Sequence, residues 1–317
     1  MPLSLEQYAA YLDTRALHWP AAPAPEPAKA RSHLVQLPEV RAVLWNVYGT
    51  LLSIAGGELW FTHPQAFAME VALDKTVQEF KMWASMTRRP GQPSEQLATW
   101  YEQALLKQKM AAGGGRERLP EVSSYRLWEA MLKLLIQKDY RFDPTFYGAL
   151  NEFAHKVAFF FHSSLQGTAA YPGAGDALLR IKSRGLMQGV LADAQPFTLL
   201  QVQRGVSARA AGIRIDDLLD DGLRFLSCEI EGRKPSERLF RKVQAALKEQ
   251  GLQPHEVLHI GNSVTRDLAP ARRIGLRTAL FAGDKSSLQA TPEQLKDSTT
   301  RPDVLLTDLS QLAEVIP

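Results

Sequence analysis

The sequence has almost no cysteine. Cys228 is the only one in 317 residues, so no disulfide can close within the chain, and the composition suits a reducing compartment. It has no run of 18 apolar residues and no secretory signal pattern at the N-terminus, so neither a membrane span nor export is expected, and the expected location is cytoplasmic. It has no marked excess of either charge. Lys+Arg number 37 against 34 Asp+Glu, a formal charge of +3, which gives no electrostatic case for a nucleic acid or a membrane surface as partner. No internal repeat is evident. What is present, 45% hydrophobic and 22% charged residues, is the make-up of an ordinary soluble globular protein, long enough for two domains.

The N-terminal region divides in two. Ser4-Leu5-Glu6-Gln7 has the form of a capping box, and a short helix is expected from about Leu5 to Leu17. Trp19-Pro20-Ala21-Ala22-Pro23-Ala24-Pro25-Glu26-Pro27 follows. Four prolines in nine residues exclude helix and sheet interior, so an extended linker is expected, with the fold proper starting near Val40. Residues 1–37 are taken as this N-terminal helix and Pro-rich linker.

Residues 54–165 have helical periodicity. Pro64 to Thr87, Ser94 to Met110, Tyr125 to Lys138 and Pro144 to Phe161 each keep apolar residues near helical spacing, with a break at Gly113-Gly114-Gly115. His63, His155 and His162 fall in this region without metal-ligand spacing and are read as ordinary core or surface residues. From Tyr171 the pattern changes to short apolar strands alternating with helices. Strands are expected at Gln188–Ala192, Val257–Ile260, Arg277–Ala282 and Asp303–Leu306. A helix ends at Gly185, another begins near Pro196, and a third spans Ser236–Glu249. Strands separated by helices imply right-handed crossovers and a parallel sheet, with ligands bound beyond the carboxyl ends of its strands.

Four polar clusters fall at strand ends: Asn46-Val47-Tyr48-Gly49-Thr50, Ala192-Asp193-Ala194, Ser227 to Pro235 with Gly232-Arg233-Lys234, and Gly261-Asn262-Ser263-Val264-Thr265-Arg266-Asp267. Their order, spacing and chemistry resemble the four motifs of the haloacid dehalogenase-like (HAD) hydrolase superfamily over about residues 40–317. The resemblance implies an α/β fold, a Rossmann-like parallel-sheet core formed by residues 38–53 and 166–317, with residues 54–165 inserted as a helical cap domain.

The resemblance also assigns roles. Position 46 is the family's nucleophilic aspartate, which forms a covalent ester and, in phosphatases, binds magnesium. Position 48 is a second aspartate in the phosphatases and is Tyr48 here, as is typical of the dehalogenase branch. A Ser or Thr orients the phosphate where Ala192 stands, followed by Asp193 in place of the common asparagine. Lys234 is the family lysine that neutralises nucleophile and substrate. Asn262 stands where a metal-ligating aspartate is usual, and Asp267 keeps the distal acidic position. The family catalytic positions are thus Asn46, Tyr48, Asp193 and Lys234. The ligand-binding set is Asn46, Val47, Gly49, Thr50, Ala192, Asp193, Lys234 and Asn262, and the metal positions are Asn262 and Asp267.

The departures fall at the chemistry, while Gly49, Thr50, Gly232, Pro235 and Gly261 remain. An amide is a very poor nucleophile, and asparagines at 46 and 262 remove two negative charges from the metal site. Magnesium binding is expected to be weak or lost. Lys234, left without its usual partner, is expected to free the site for an anion. The expected function is a HAD-like protein that has lost standard catalysis and binds a small anionic ligand between cap and core, or a protein partner through the cap or the N-terminal arm. The alternative is an active phosphatase- or dehalogenase-class hydrolase in which Asp193 or Asp267 activates water. Asp193 reads equally as a helix N-cap. Tyr48 is expected to pack against the cap, and Cys228 to be a small core residue.

Overall fold

A computed structural model describes residues 1–85, 93–113, 119–209 and 212–316. It divides into two compact units. One comprises Met1–Ala21, Leu59–Arg116 and Val122–Gly167, and the other Ala22–Glu58, Glu117–Glu121 and Thr168–Pro317.

The second unit is built on strands β1 (Ala42–Trp45), β2 (Leu52–Ser53), β3 (Ala169–Ala170), β4 (Met187–Ala192), β5 (Arg224–Leu226), β6 (Val257–Gly261), β7 (Arg277–Phe281) and β8 (Val304–Leu306). Six of them form one sheet in the order β5-β4-β1-β6-β7-β8, and every pairing in it is parallel. β1 lies in the middle, and all four of its residues are buried. This position explains its unbroken apolar run, since a central parallel strand is covered on both faces. The chain runs from β1 to β4 and β5 on one side, then to β6, β7 and β8 on the other. The sheet order therefore reverses at β1, the place where parallel sheets bind ligands.

Register carries the polar clusters to one level. Trp45 pairs with Val190 of β4 and with Ile260 of β6. One or two residues further on, the chain reaches Asn46, Ala192 and Asn262. The helical insertion leaves after β2 and returns at β3, and these two short strands pair antiparallel, Leu52 opposite Ala170 and Ser53 opposite Ala169.

The expected strands are all present within a residue or two of their sequence bounds. The edge strand β5 and the β2–β3 pair, of three and two residues each, were not visible in the periodicity. The helix Glu237–Glu249 starts with the Ser236 hydroxyl accepting from the Leu239 amide at 3.3 Å. It buries Leu239, Phe240, Val243 and Leu247 against Leu44, Leu191, Phe225 and Val257 of the sheet, an i, i+3/i+4 stripe on a flat apolar face.

The Pro-rich segment is extended, with no regular helix or strand, and it is docked along the core from Pro23 onward. The Ser53 hydroxyl donates to the Pro23 carbonyl at 2.7 Å, and the Glu26 amide donates to Asp284 Oδ1 at 3.1 Å. His33 then exchanges both backbone hydrogen bonds with Leu305 at 3.0 and 2.9 Å. That contact covers the outer edge of β8, which would otherwise present unpaired backbone groups.

The first unit is helical: Leu5–Asp13, Ala66–Glu79, Pro93–Gly113, Ser124–Ile136, Pro144–Tyr147 and Leu150–Leu165. The Ser4/Gln7 capping box forms as the sequence predicts, with the Ser4 amide donating to Gln7 Oε1 at 2.8 Å and the Gln7 amide to Ser4 Oγ at 3.2 Å. The helix it starts ends at Asp13, earlier than Leu17. Its Tyr8 is buried edge-on against Tyr147, with ring centroids 6.0 Å apart, and Arg15 pairs with Glu79 at 2.5 Å. The single helix expected from Pro144 to Phe161 is two helices. Gly148 at φ +84° breaks it, a left-handed conformation that continues no α-helix. Of the expected Gly113–Gly115 break, Gly113 is the last residue of its helix, and Gly114 and Gly115 lie outside the described residues, as do residues 86 and 87 of the expected Pro64–Thr87 helix.

Among the described residues no helix is long and apolar enough to cross a membrane.

Candidate active site at the strand ends

Asn46 leaves the tip of β1 with its backbone amide still donating to the Ile260 carbonyl of β6 at 2.8 Å. Its side chain is buried and fully engaged. Oδ1 accepts from Lys234 Nζ at 2.8 Å. Nδ2 donates to the Tyr48 carbonyl at 2.8 Å and to Asn262 Oδ1 at 2.8 Å, with Thr50 Oγ1 at 3.3 Å. The neighbours fix which end of the amide is which. A lysine ammonium only donates and a carbonyl oxygen only accepts, so the end facing Lys234 is the oxygen and the end facing Tyr48 the nitrogen.

The same logic orients Asn262. Its Oδ1 receives Asn46 Nδ2, so its Nδ2 is the group that donates to the Ser287 carbonyl at 2.6 Å. A directed chain therefore runs from Lys234 through Asn46 and Asn262 to the Ser287 backbone. The turn after β1 is shaped around it. Gly49 sits at φ +78°, and a Cβ there would fall 2.4 Å from Asn262 Nδ2. Both the conformation and the space require glycine.

Lys234 is buried, and its peptide bond to Pro235 is cis. Its ammonium has three protons and three acceptors: Asn46 Oδ1, the Leu191 carbonyl at 3.3 Å and Asp267 Oδ1. The expectation of an unopposed lysine is corrected here, because Asp267 takes the part of the missing nucleophile as its counter-charge. Asp267 is itself buried, its Oδ2 accepting from the Ser263 amide at 2.9 Å. Burial alone would raise its pKa. The Lys234 ammonium and the His259 ring outweigh that and hold the carboxyl well below the usual range.

His259, in the middle of the otherwise apolar β6, faces this network. Its Nδ1 lies 3.0 Å from the Leu44 carbonyl and so carries the proton. Its Nε2 faces Asp267 Oδ1 at 3.9 Å. A histidine inside a continuously buried central strand was the available sequence signal.

Asp193 is neither an N-cap nor part of the buried chain. The following helix is Thr198–Ser207, with Phe197 at its cap position. Asp193 Oδ1 accepts from the Lys234 backbone amide at 2.7 Å, tying the loop after β4 to the third cluster. Ala192, the buried last residue of β4, offers no hydroxyl. The Tyr48 carbonyl joins the Asn46 network, but its side chain bonds to the core. The phenol donates to Gln201 Oε1 at 2.6 Å, so it is the Thr198 hydroxyl, 2.9 Å away, that donates to the phenolic oxygen. Burial pushes the phenol above its ordinary range, and with its proton committed to Gln201 it is a poor general acid. Cys228 is half-buried, its thiol pushed up to about 12 by burial and by Glu229 and Glu121, which leaves it unreactive.

Beside this centre lies a charged group that the sequence did not single out. Arg266 Nη1 contacts Glu58 Oε2 at 2.6 Å. Arg233 lies 3.7 Å from Glu58, 3.9 Å from Asp193 and 3.9 Å from Glu121.

Magnesium sets a strict requirement on these donors. The ion takes about six oxygen ligands at about 2.0–2.1 Å and favours carboxylates. The oxygens of Tyr48, Thr50 and Asn262 converge on an amide NH₂ group, and both carboxylate oxygens of Asp267 are committed to Lys234 and to the Ser263 amide. Among the described residues no group of three or more His, Cys, Asp or Glu is placed to hold a metal ion. The residues present do not fit the ion.

A parallel sheet whose order reverses at the central strand, four polar clusters at its carboxyl ends and a helical unit inserted after the first define a Rossmann-like α/β protein. Residues 232–312 match the HAD-hydrolase-like family model. The chain is 27% identical over 147 residues to glyceraldehyde 3-phosphate phosphatase of Pyrococcus furiosus, covering 46% of this chain and 53% of that protein. It is 26% identical over 111 residues to the Pyrococcus abyssi protein of the same name, covering 35% and 41%. It thus spans about half the length of the curated relatives it matches. The crystal structure of 2-haloacid dehalogenase from Pseudomonas syringae pv. Tomato DC3000 superimposes with a TM-score of 0.51 at 18% identity, covering 87% of this chain and 97% of that one, a likeness of fold. The sequence match over residues 232–312 and the likeness of fold together support a relationship to the haloacid dehalogenase-like hydrolases.

Proposed function

We propose that this chain is a HAD-like protein that has given up the covalent hydrolase reaction and keeps its strand-end site for holding a small anion. The observation that carries the first half is Asn46. The group at the nucleophile position is a neutral amide, and its oxygen is held by Lys234 at 2.8 Å while its nitrogen is spent on Tyr48 and Asn262. Loss of a covalent nucleophile commonly costs a factor of about 10⁶, roughly 8 kcal/mol of barrier.

Direct attack by water finds little support. Asp267 is buried, ion-paired and held in its ionised form, so it is a weak base, and Asp193 is committed to the Lys234 amide. The second half is supported by charge. Compared with the same site bearing aspartates at 46 and 262, this one is more positive by two charges, and Lys234, Arg233 and Arg266 remain. The proposed contacts are Asn46, Val47, Gly49, Thr50, Ala192, Asp193, Lys234 and Asn262. Lys234 already has three acceptors and its charge is balanced by Asp267, so the gain for an anion comes from the two carboxylate charges that asparagines at 46 and 262 leave out.

The test is calorimetric titration of the natural chain with inorganic phosphate and with tungstate in metal-free buffer, beside turnover assays on phosphate monoesters and 2-haloacids. Anion binding without turnover is expected. Turnover removes the first half of the reading, and indifference to both anions removes the second.

A further inference from the structure

Resting on the reading of the strand ends as the hydrolase-type site, we infer that the protons of the Asn46 amide take the part a cation's charge would play for the oxygens around them, so that the chain closes this site without metal, and that Asn46→Asp alone opens it to magnesium. Three oxygens from separate positions converge on Nδ2: the Tyr48 carbonyl and Asn262 Oδ1, both at 2.8 Å, and Thr50 Oγ1 at 3.3 Å. None of them carries a full charge. The Tyr48 carbonyl and Asn262 Oδ1 can only accept, and here they receive the two protons of a buried NH₂ group.

The rest of the network is matched to this use of Asn46. Lys234 donates to Oδ1 and so forces the amide to present its nitrogen on the other side. Asn262 receives one of those protons and passes a hydrogen bond on to the Ser287 carbonyl at 2.6 Å. An aspartate at 262 would place a carboxylate oxygen against that carbonyl. The two asparagines therefore act as one directed unit rather than as two independent losses. Asn46→Asp removes both protons and leaves a carboxylate oxygen facing the three others. The Tyr48 carbonyl and Asn262 Oδ1 then face a carboxylate oxygen with no proton between them, and a hard cation relieves that contact.

The experiment is titration with magnesium chloride, followed by calorimetry and by thermal unfolding, on the natural chain and on Asn46→Asp. The natural chain is expected to give no binding heat and an unchanged Tm. Asn46→Asp is expected to unfold at a lower temperature in chelator and to recover as magnesium is added, because a ligand that binds only the folded state raises Tm. Magnesium binding by the natural chain overturns the inference, and so does a folded Asn46→Asp that ignores magnesium. Should that variant not fold, nuclear magnetic resonance of the natural chain decides. A slowly exchanging Asn46 side-chain NH₂ that magnesium does not shift upholds the inference, and fast exchange or a magnesium-induced shift refutes it. The outcomes separate from those of the functional reading. A silent chain that binds magnesium loses this inference only, and a chain that turns over without magnesium loses the functional reading only.

Discussion

Replacing Lys234 with methionine isolates the charge balance at the centre of the site. The Lys234 and Asp267 side chains are 3% and 2% exposed, so neither is solvated once its partner is gone. Removing one member of such a pair leaves a buried charge uncompensated, at a cost of about 3–5 kcal/mol. The pH dependence gives a second, sharper readout. In the natural chain the Asp267 carboxyl is held below its ordinary range. A depressed group contributes stability that is fully present above the unfolded-state value near 3.8 and is lost as pH falls through the folded value. In Lys234→Met, burial dominates and raises the carboxyl above its unfolded value. The variant is then penalised at neutral pH, and the penalty shrinks as pH falls and the group protonates. Urea denaturation from neutral pH down to about pH 4 should show the gap between the two proteins narrowing with acidity. A gap under about 1 kcal/mol, or one that stays constant with pH, would refute the assignment of Asp267 as counter-charge.

Other substitutions test separate parts of the account. Gly49→Ala should lose about 1–3 kcal/mol from its left-handed backbone alone, with a further loss from overlap with Asn262, measured by denaturation; an unaffected protein would mean the turn is shaped otherwise. Tyr48→Phe strands the buried Gln201 acceptor and should cost about 1–3 kcal/mol while leaving anion binding unchanged, whereas a selective loss of anion binding would place the phenol in the site. Ser236→Ala removes the cap of the helix after Lys234 and should cost about 1 kcal/mol in the same assay, and no loss would show that the cap is not needed.

Much of the fold was legible because its signals are local. Apolar runs bounded by turns marked β1, β4 and β6, the Ser4/Gln7 box marked the first helix, and Pro–Gly punctuation marked the ends. Elements too short for periodicity, such as β5 and the β2–β3 pair, left no trace, since their pairing is fixed by neighbours distant in sequence. Of the site, the strand-end positions of Asn46, Lys234, Asn262 and Asp267 followed from motif order. What their side chains do did not. That Asp267 neutralises Lys234, that Asn262 turns toward Ser287, and that His259 faces Asp267 depend on pairs of residues whose side-chain approach is set by the fold and not by sequence spacing. The docking of the Pro-rich arm on Ser53 and Asp284 likewise depends on partners that composition does not name.

The central claim is that the amide at position 46 silences the hydrolase chemistry. The most direct measurement is turnover of a phosphate monoester and a 2-haloacid, with magnesium present, by the natural chain beside an Asn46→Asp, Asn262→Asp double variant. The account predicts no turnover by the natural chain and measurable turnover by the double variant. Turnover by the natural chain at a rate comparable to that of the double variant would contradict it.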